Sequence, residues 1–306
     1  MAQSVPLFDS SKPTSHSALF QHFSSPTVVD KCIYCSFIHP SQEDLILVRS
    51  NHIEIYNFII ENNEWRLNKV FGTSLYEEIE DIVSVRFYGE TVDSILVSFK
   101  DAKLAVMNFD PVQYELRTLS IHNFEHENQK GGRFQFNKSP LLRVDPNQRC
   151  AVMLIYDRHI AVIPFRRADI LGAVGAINDS LTPNTGPMFS DNDNPTHESA
   201  WQRKLTAPIL QSYTTCLATS TGEKINNIID FDFLNGFYEP TLLVLYESIG
   251  TWAGRVSARR DTCCIVALSF NLQARTNPVI WFQEGLPYDC SKVVPAPRSV
   301  GMPYFT

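Results

Sequence analysis

The segment DSILVSFKDAKLAVMNFD, Asp93 to Asp110, does most to limit what this chain can fold into. Two apolar runs, Ile95 to Phe99 and Leu104 to Phe109, flank the polar Lys100-Asp101-Ala102-Lys103. Their β-branched and aromatic content, in runs of about 4–8 residues, favours strands over helix and predicts a β-hairpin. Similar hairpins recur at Asp44 to Phe58, at Cys150 to Phe165 and, more stretched, across Pro240 to Phe270. A chain that repeats one supersecondary unit is read first as a repeat protein.

The strands come in fours with no helix between them. Cys32–Phe37, Leu45–Val48, Ile53–Phe58 and Trp65–Phe71 make a first unit, and Ile82–Phe87, Ser94–Ser98, Leu104–Phe109 and Tyr114–Ile121 a second. Leu141–Val144, Ala151–Ile155, Ile160–Phe165 and, after a long interruption, Ile209–Leu217 make a third. FIHP, FYGE, VDPN and FLNG, starting at Phe37, Phe87, Val144 and Phe233, fall at the first turn of four successive units. Units of about 40–60 residues with four antiparallel strands each are what propeller blades look like. The chain has no WD dipeptide and no tight period, so the predicted fold class is all-β, a degenerate β-propeller with about four blades of an incomplete ring. A β-sandwich is the structural alternative.

Residues 1–30, rich in Ser, Pro and His, are expected to be a largely disordered extension. Residues 31–297 are expected to form the partial propeller, with a breaker-rich loop at 168–204. Residues 298–306 are expected to be a truncated C-terminal tail. A second excursion covers Glu247 to Asp261, and long loops on a rigid scaffold are where partner contacts usually lie.

Charge and motifs narrow the function classes. A net charge of −7 and a pI near 5.6 argue against a surface built to neutralise phosphate, although Arg166 and Arg167, or Arg255, Arg259 and Arg260, offer a local basic patch. No apolar run approaches the roughly 18 residues of a spanning helix, so no membrane partner is expected. Seven irregularly spaced cysteines do not form a disulfide framework and leave an intracellular compartment as the default. Cys32-Ile-Tyr-Cys35 lacks a second ligand pair and is read as core thiols. His122 and His126 lack the His-Glu-x-x-His pattern and are read as solvated. Asp191-Asn-Asp-Asn lacks the glycine and glutamate of a calcium loop, and Gly131-Gly132-Arg133-Phe134 is read as a turn. No phosphate loop, dinucleotide fingerprint or nucleophile elbow is present, so no catalytic residue, metal, cofactor or small-molecule substrate is expected.

The blocks FLNGFYEPTLL (Phe233 to Leu243) and TWAGRV (Thr251 to Val256), with LVSFKDAKL, VDPNQRC and VIPFRR, resemble the N-terminal propeller region of one family. It is the family of the largest subunit of the cleavage and polyadenylation specificity factor, in a superfamily with the damaged-DNA-binding protein large subunit and a splicing factor 3b subunit. Ala253 departs from that family's usual proline, and about four blades are fewer than its closed ring holds. The resemblance implies a nuclear, non-catalytic scaffold in pre-mRNA 3′-end processing. Its implied partners are a WD-repeat subunit and a zinc-finger subunit that read AAUAAA, with pre-mRNA touched indirectly or weakly. The implied partner-binding positions are Lys100, Asp101, Arg166, Arg167, Tyr238, Glu239, Trp252 and Arg255, while Tyr238 and Trp252 are read first as blade packing. The alternatives are a sister adaptor in DNA-damage ubiquitin ligation or splicing, an enzyme working at a propeller channel, and a product with no function of its own.

Overall fold

Alternation of burial along the strands decides how this chain stacks. β10 (Cys150–Ile155) is buried at every position. Its Cys150, Val152 and Leu154 enter one apolar cluster, while Ala151, Met153 and Ile155 enter another. A strand whose two faces are both covered reads as a continuous apolar run, and a strand with one open face alternates. β2 (Asp44–Arg49) alternates strictly, so its sheet ends the stack on one side.

The structure is a computed structural model and describes residues 26–61, 63–100, 102–130, 139–156, 158–166, 208–218 and 225–296. The expectations for most of the N-terminal extension, for the 168–204 loop and for residues 298–306 lie outside the described residues, as do Asp101 and Arg167. The first sheet is β1 (Lys31–Cys35), β2, β3 (His52–Glu61) and β4 (Glu64–Ser74). The second is β5 (Ile79–Val85), β6 (Ser94–Phe99), β7 (Lys103–Asp110) and β8 (Glu115–Asn123). The third is β9 (Leu142–Val144), β10, β11 (His159–Pro164) and β12 (Tyr213–Cys216). The fourth is β13 (Ile228–Phe233), β14 (Thr241–Tyr246), β15 (Cys263–Ser269) and β16 (Val279–Leu286).

Each sheet is antiparallel with its strands in chain order. The first strands β1, β5, β9 and β13 lie next to one another, so the four sheets follow in sequence in a propeller-like arrangement that closes no ring among the described residues. Three apolar clusters fill the gaps between successive sheets, with Phe37, Phe231, Phe233 and Phe270 fully buried among them. A fourth cluster covers the far face of the fourth sheet, where Phe237, Trp281 and Val293 pack against Leu234, Leu243 and Ala267. The far face of the first sheet instead leaves Tyr34, Phe58, Ile60, Trp65 and Leu67 exposed.

A belt of ions joins the inner strands. Lys31 on β1 lies 3.3 Å from Asp81 on β5, and Arg143 on β9 lies 3.3 Å from both Asp81 and Asp230 of β13. Asp81 also accepts the Leu142 N–H, and Asp230 accepts that of Val293.

Two of the expectations change. Cys35 is buried but Cys32 is exposed, because residues three apart on a strand point to opposite faces, which also prevents the pair from chelating a metal. His126 is exposed, but His122 is half-buried: it stacks on Phe124 and bonds Ser120 and Ser212 at 3.1 Å each. Burial pushes its imidazole below the ordinary histidine range.

Candidate functional site

In an antiparallel sheet of consecutive strands, the first-to-second and third-to-fourth turns share one end, and the second-to-third turns occupy the other. FIHP, FYGE, VDPN and FLNG all begin first-to-second connections and so gather at one end. Their backbones are set locally. Gly89 and Gly236 hold φ of 86° and 88°, the left-handed region that glycine enters without penalty, and Gln148 enters it at 54°. Asp44 accepts the N–H groups of Phe37 and Ile38 at 3.3 and 2.8 Å, and Asp93 accepts that of Ser36 at 2.9 Å, tying the second sheet's turn to the first.

The third turn is fixed more strongly. Arg149 forms a two-pronged pair with Asp145, at 2.6 Å from Nε and 2.7 Å from Nη2. Both side chains are buried, at 4% and 0% exposure. Its remaining nitrogen, Nη1, crosses to the fourth sheet and donates to the carbonyls of Phe237 and Tyr238 at 3.2 and 2.5 Å. This locks the FLNG connection from beneath and leaves the Tyr238 ring 98% exposed.

Between these two turns lies a cleft of about 810 Å³. Phe165, Phe237, Pro240, Phe270 and Leu272 form its apolar part, and Asn147, Gln211, Asn271 and Gln273 its amide part. Glu239 on its wall accepts hydrogen bonds from Ser269 Oγ and from Asn271 Nδ2. Arg275 lies 5.1 Å over the Tyr213 ring and donates to Gln211 at 3.1 Å. Burial, first, and the nearby Cys150 push the Tyr213 phenol up to about 12, so it stays a neutral face for that guanidinium. A second groove of about 740 Å³ sits at the same end of the first sheet, among Tyr34, Pro40, Glu43, Phe58 and Trp65.

The positions singled out from the sequence divide between the two ends. Tyr238 and Glu239 line the cleft, and Arg166, whose N–H donates to the Pro208 carbonyl at 2.9 Å, follows Phe165 at the same end. Lys100 in the β6–β7 turn and Trp252 and Arg255 in the β14–β15 excursion lie at the opposite end. There the Arg255 guanidinium sits 5.2 Å over the Trp252 ring, and Glu247 anchors the loop by accepting from the Thr251 N–H and the Thr262 hydroxyl. The blade-packing reading of Tyr238 and Trp252 is wrong: both rings project into solvent, Trp252 at 61% exposure. Sequence reasoning missed Arg149, Asp145 and Arg275. VDPNQRC was legible as a turn, but the carbonyls that Arg149 reaches belong to a different sheet.

Among the described residues, no group of three or more His, Cys, Asp or Glu is placed to hold a metal. The site has the makings of a recognition surface: an exposed aromatic ring on a rigid turn, an apolar floor, amides and one accessible guanidinium.

Residues 28–277 match the model of the RSE1/DDB1/CPSF1 first beta-propeller. The chain belongs to this family. It is 34% identical over 293 residues to the cleavage and polyadenylation specificity factor subunit 1 of Drosophila melanogaster, covering 90% of this chain and 19% of that protein. It is 32% identical over 246 residues to the probable subunit 1 of Caenorhabditis elegans, covering 79% of this chain and 14% of the relative. With protein CFT1 of Debaryomyces hansenii, identity is 24% over 292 residues, or 91% and 21% of the two chains. The chain thus spans about a fifth or less of the length of these curated relatives. Membership of the first-propeller family accounts for the four-stranded sheets in chain order.

Proposed function

We propose that this chain is a non-catalytic scaffold element in pre-mRNA 3′-end cleavage and polyadenylation, acting in the nucleus. The observation that carries this reading is the similarity to cleavage and polyadenylation specificity factor subunit 1 across most of the chain. In this reading the propeller organises a WD-repeat subunit and a zinc-finger subunit around the AAUAAA signal, and pre-mRNA is contacted indirectly or weakly. The net charge of −7 agrees with a protein-binding role, since a strong phosphate-binding surface carries an excess of Lys and Arg. Tyr238, Glu239 and Arg166 at one end, Lys100, Trp252 and Arg255 at the other, and Asp101 and Arg167, which lie outside the described residues, are the proposed contacts. Exposed aromatic rings and arginines are the side chains that dominate protein interfaces.

The test is affinity purification of the tagged 306-residue chain from nuclear extract, beside a full-length relative, with mass spectrometry of what accompanies each. Recovery of polyadenylation subunits by both supports the reading. Recovery of cullin or splicing subunits instead would move the chain to a sister adaptor, the alternative that the breadth of the family keeps open.

A further inference from the structure

We infer that the cleft between the third and fourth sheets is the docking site of an extended, acidic peptide segment of a protein partner, with an apolar side chain of that segment set against Tyr238. The inference rests on the scaffold reading only in taking the partner to be a protein.

The first argument is preorganisation. Tyr238 is 98% exposed, yet its own carbonyl and that of Phe237 are held by Arg149, which is itself fixed by its two-pronged pair with Asp145. A large ring presented on a fixed backbone loses little freedom when a ligand covers it, which is why such rings serve as anchors. The layer beneath it is apolar and closed to solvent: Phe165 is 2% exposed and Phe270 0%.

The second argument is hydrogen-bonding capacity. An extended peptide presents one N–H and one C=O per residue, and side-chain amides pair with both. Four amides line the cleft, and the side chains of Asn147 and Gln273 make no hydrogen bond among the described residues.

Charge selects the sign of the ligand. Arg149 spends four of its five donors on Asp145 and on the Phe237 and Tyr238 carbonyls, and Glu239, the one carboxylate among the described residues of the lining, is turned into bonds from Ser269 and Asn271. Arg275 is exposed and uses a single nitrogen on Gln211, while the Tyr213 ring holds its plane. A guanidinium with open donors in a fixed plane suits a carboxylate taken in two-pronged fashion. RNA is the weaker occupant, because one available guanidinium in a chain of net charge −7 neutralises too little phosphate.

The experiment selects random dodecapeptides displayed on phage against the whole 306-residue chain, with the Tyr238→Ala/Arg275→Gln double variant as counter-target. Both side chains are exposed, so the variants keep the fold, as unchanged melting curves would verify. The expected result is enrichment of peptides carrying Asp or Glu within a few residues of a bulky apolar side chain. The synthetic form of the most enriched peptide should lose at least about tenfold in affinity with Tyr238→Ala and again with Arg275→Gln. Trp65→Ala, in the groove of the first sheet, should leave it unchanged. Three results would overturn the assignment: no enrichment over the double variant, selection of basic peptides, or sensitivity to Trp65 in place of Tyr238. Tighter, Tyr238-dependent binding of dodecauridine would give the cleft to RNA and overturn it as well. Failed nuclear co-purification with an intact peptide site removes the scaffold reading alone; the reverse pattern removes the docking assignment alone.

Discussion

Arg143 is the side chain whose loss should weaken the stack of sheets most. Standing on β9, it places Nη1 3.3 Å from Asp81 of the second sheet and Nη2 3.3 Å from Asp230 of the fourth, so one guanidinium joins two sheets that share no apolar cluster among the described residues. The two carboxylates are 7% and 8% exposed. At an effective dielectric of about 20, each contact is worth about 5 kcal/mol of bare attraction. Desolvation of the ions offsets most of that, so the measurable quantity is the cost of breaking the set. Arg143→Met keeps much of the bulk and leaves Asp81 and Asp230 without their shared cation, at about 3–5 kcal/mol. Lys31 still reaches Asp81 and water reaches the 28% exposed Arg143 site, which favours the lower half of that range. At about 2–4 °C per kcal/mol for a domain of this size, a loss of about 3–4 kcal/mol should lower melting by about 6–16 °C. Scanning calorimetry of the unaltered chain, of Arg143→Met and of Arg143→Met/Asp81→Asn/Asp230→Asn makes the comparison. The triple variant should recover part of the loss, because it removes the buried charges together with their partner. A drop below about 2 °C for the single variant, or no recovery in the triple, would refute the argument.

Arg149→Ala strands the buried Asp145 carboxylate and frees the Phe237 and Tyr238 carbonyls, so it should destabilise by about 3–5 kcal/mol and raise amide exchange through residues 237–240, read by hydrogen-exchange mass spectrometry. His122 and His159 are both pushed by burial below the ordinary histidine value, His159 further by the Arg158 charge. The unfolded chain therefore binds protons first, and stability present above about pH 6.5 should be lost as the pH falls through the lower folded values. Melting temperatures at stepped pH check this, and His122→Asn should flatten the slope. Iodoacetamide at mildly alkaline pH should label the exposed Cys32 well before Cys35, whose thiol burial pushes up to about 12, or Cys150, which burial pushes well above the ordinary thiol range; peptide mapping that finds Cys150 labelled first would contradict the burial.

The stack was legible because its signals are local. The unbroken runs CAVMLI and TLLVLY mark strands covered on both faces, whereas LILV in β2 reads the same way and only its burial, which alternates, shows that its sheet ends the stack. In TLLVLY the second cover comes from Phe237, Trp281 and Val293, which the pattern demands but cannot name. What escaped the sequence is whatever depends on one sheet's neighbour. Asp81, Arg143 and Asp230 are charges in three separate strands and become a belt only when β5, β9 and β13 lie side by side. Exposure of Tyr238 escaped for the same reason. An aromatic residue beside glycine and proline reads as packing until Arg149 of the preceding sheet is seen to hold its carbonyl.

The antiparallel connections also decide how many partners the surface can serve. Tyr238 precedes β14 and Trp252 follows it, so the six residues Thr241–Tyr246 separate the two turn regions. At about 3.3 Å per residue that is a span of about 20 Å, most of the depth of the sheet stack. One peptide seated in the cleft cannot also cover Trp252 and Arg255 without wrapping the edge of the fourth sheet, where β16 stands. The two aromatic–arginine pairs, Tyr213–Arg275 near one end and Trp252–Arg255 at the other, are therefore too far apart for one short peptide to cover. In nuclear co-purification Tyr238→Ala and Trp252→Ala should each reduce a different subunit, and the double variant should show the two losses independently, since sites sharing no partner add. Loss of one and the same subunit in both single variants, with no further loss in the double, would mean that a single partner spans both ends and that the division by topology does not divide the function.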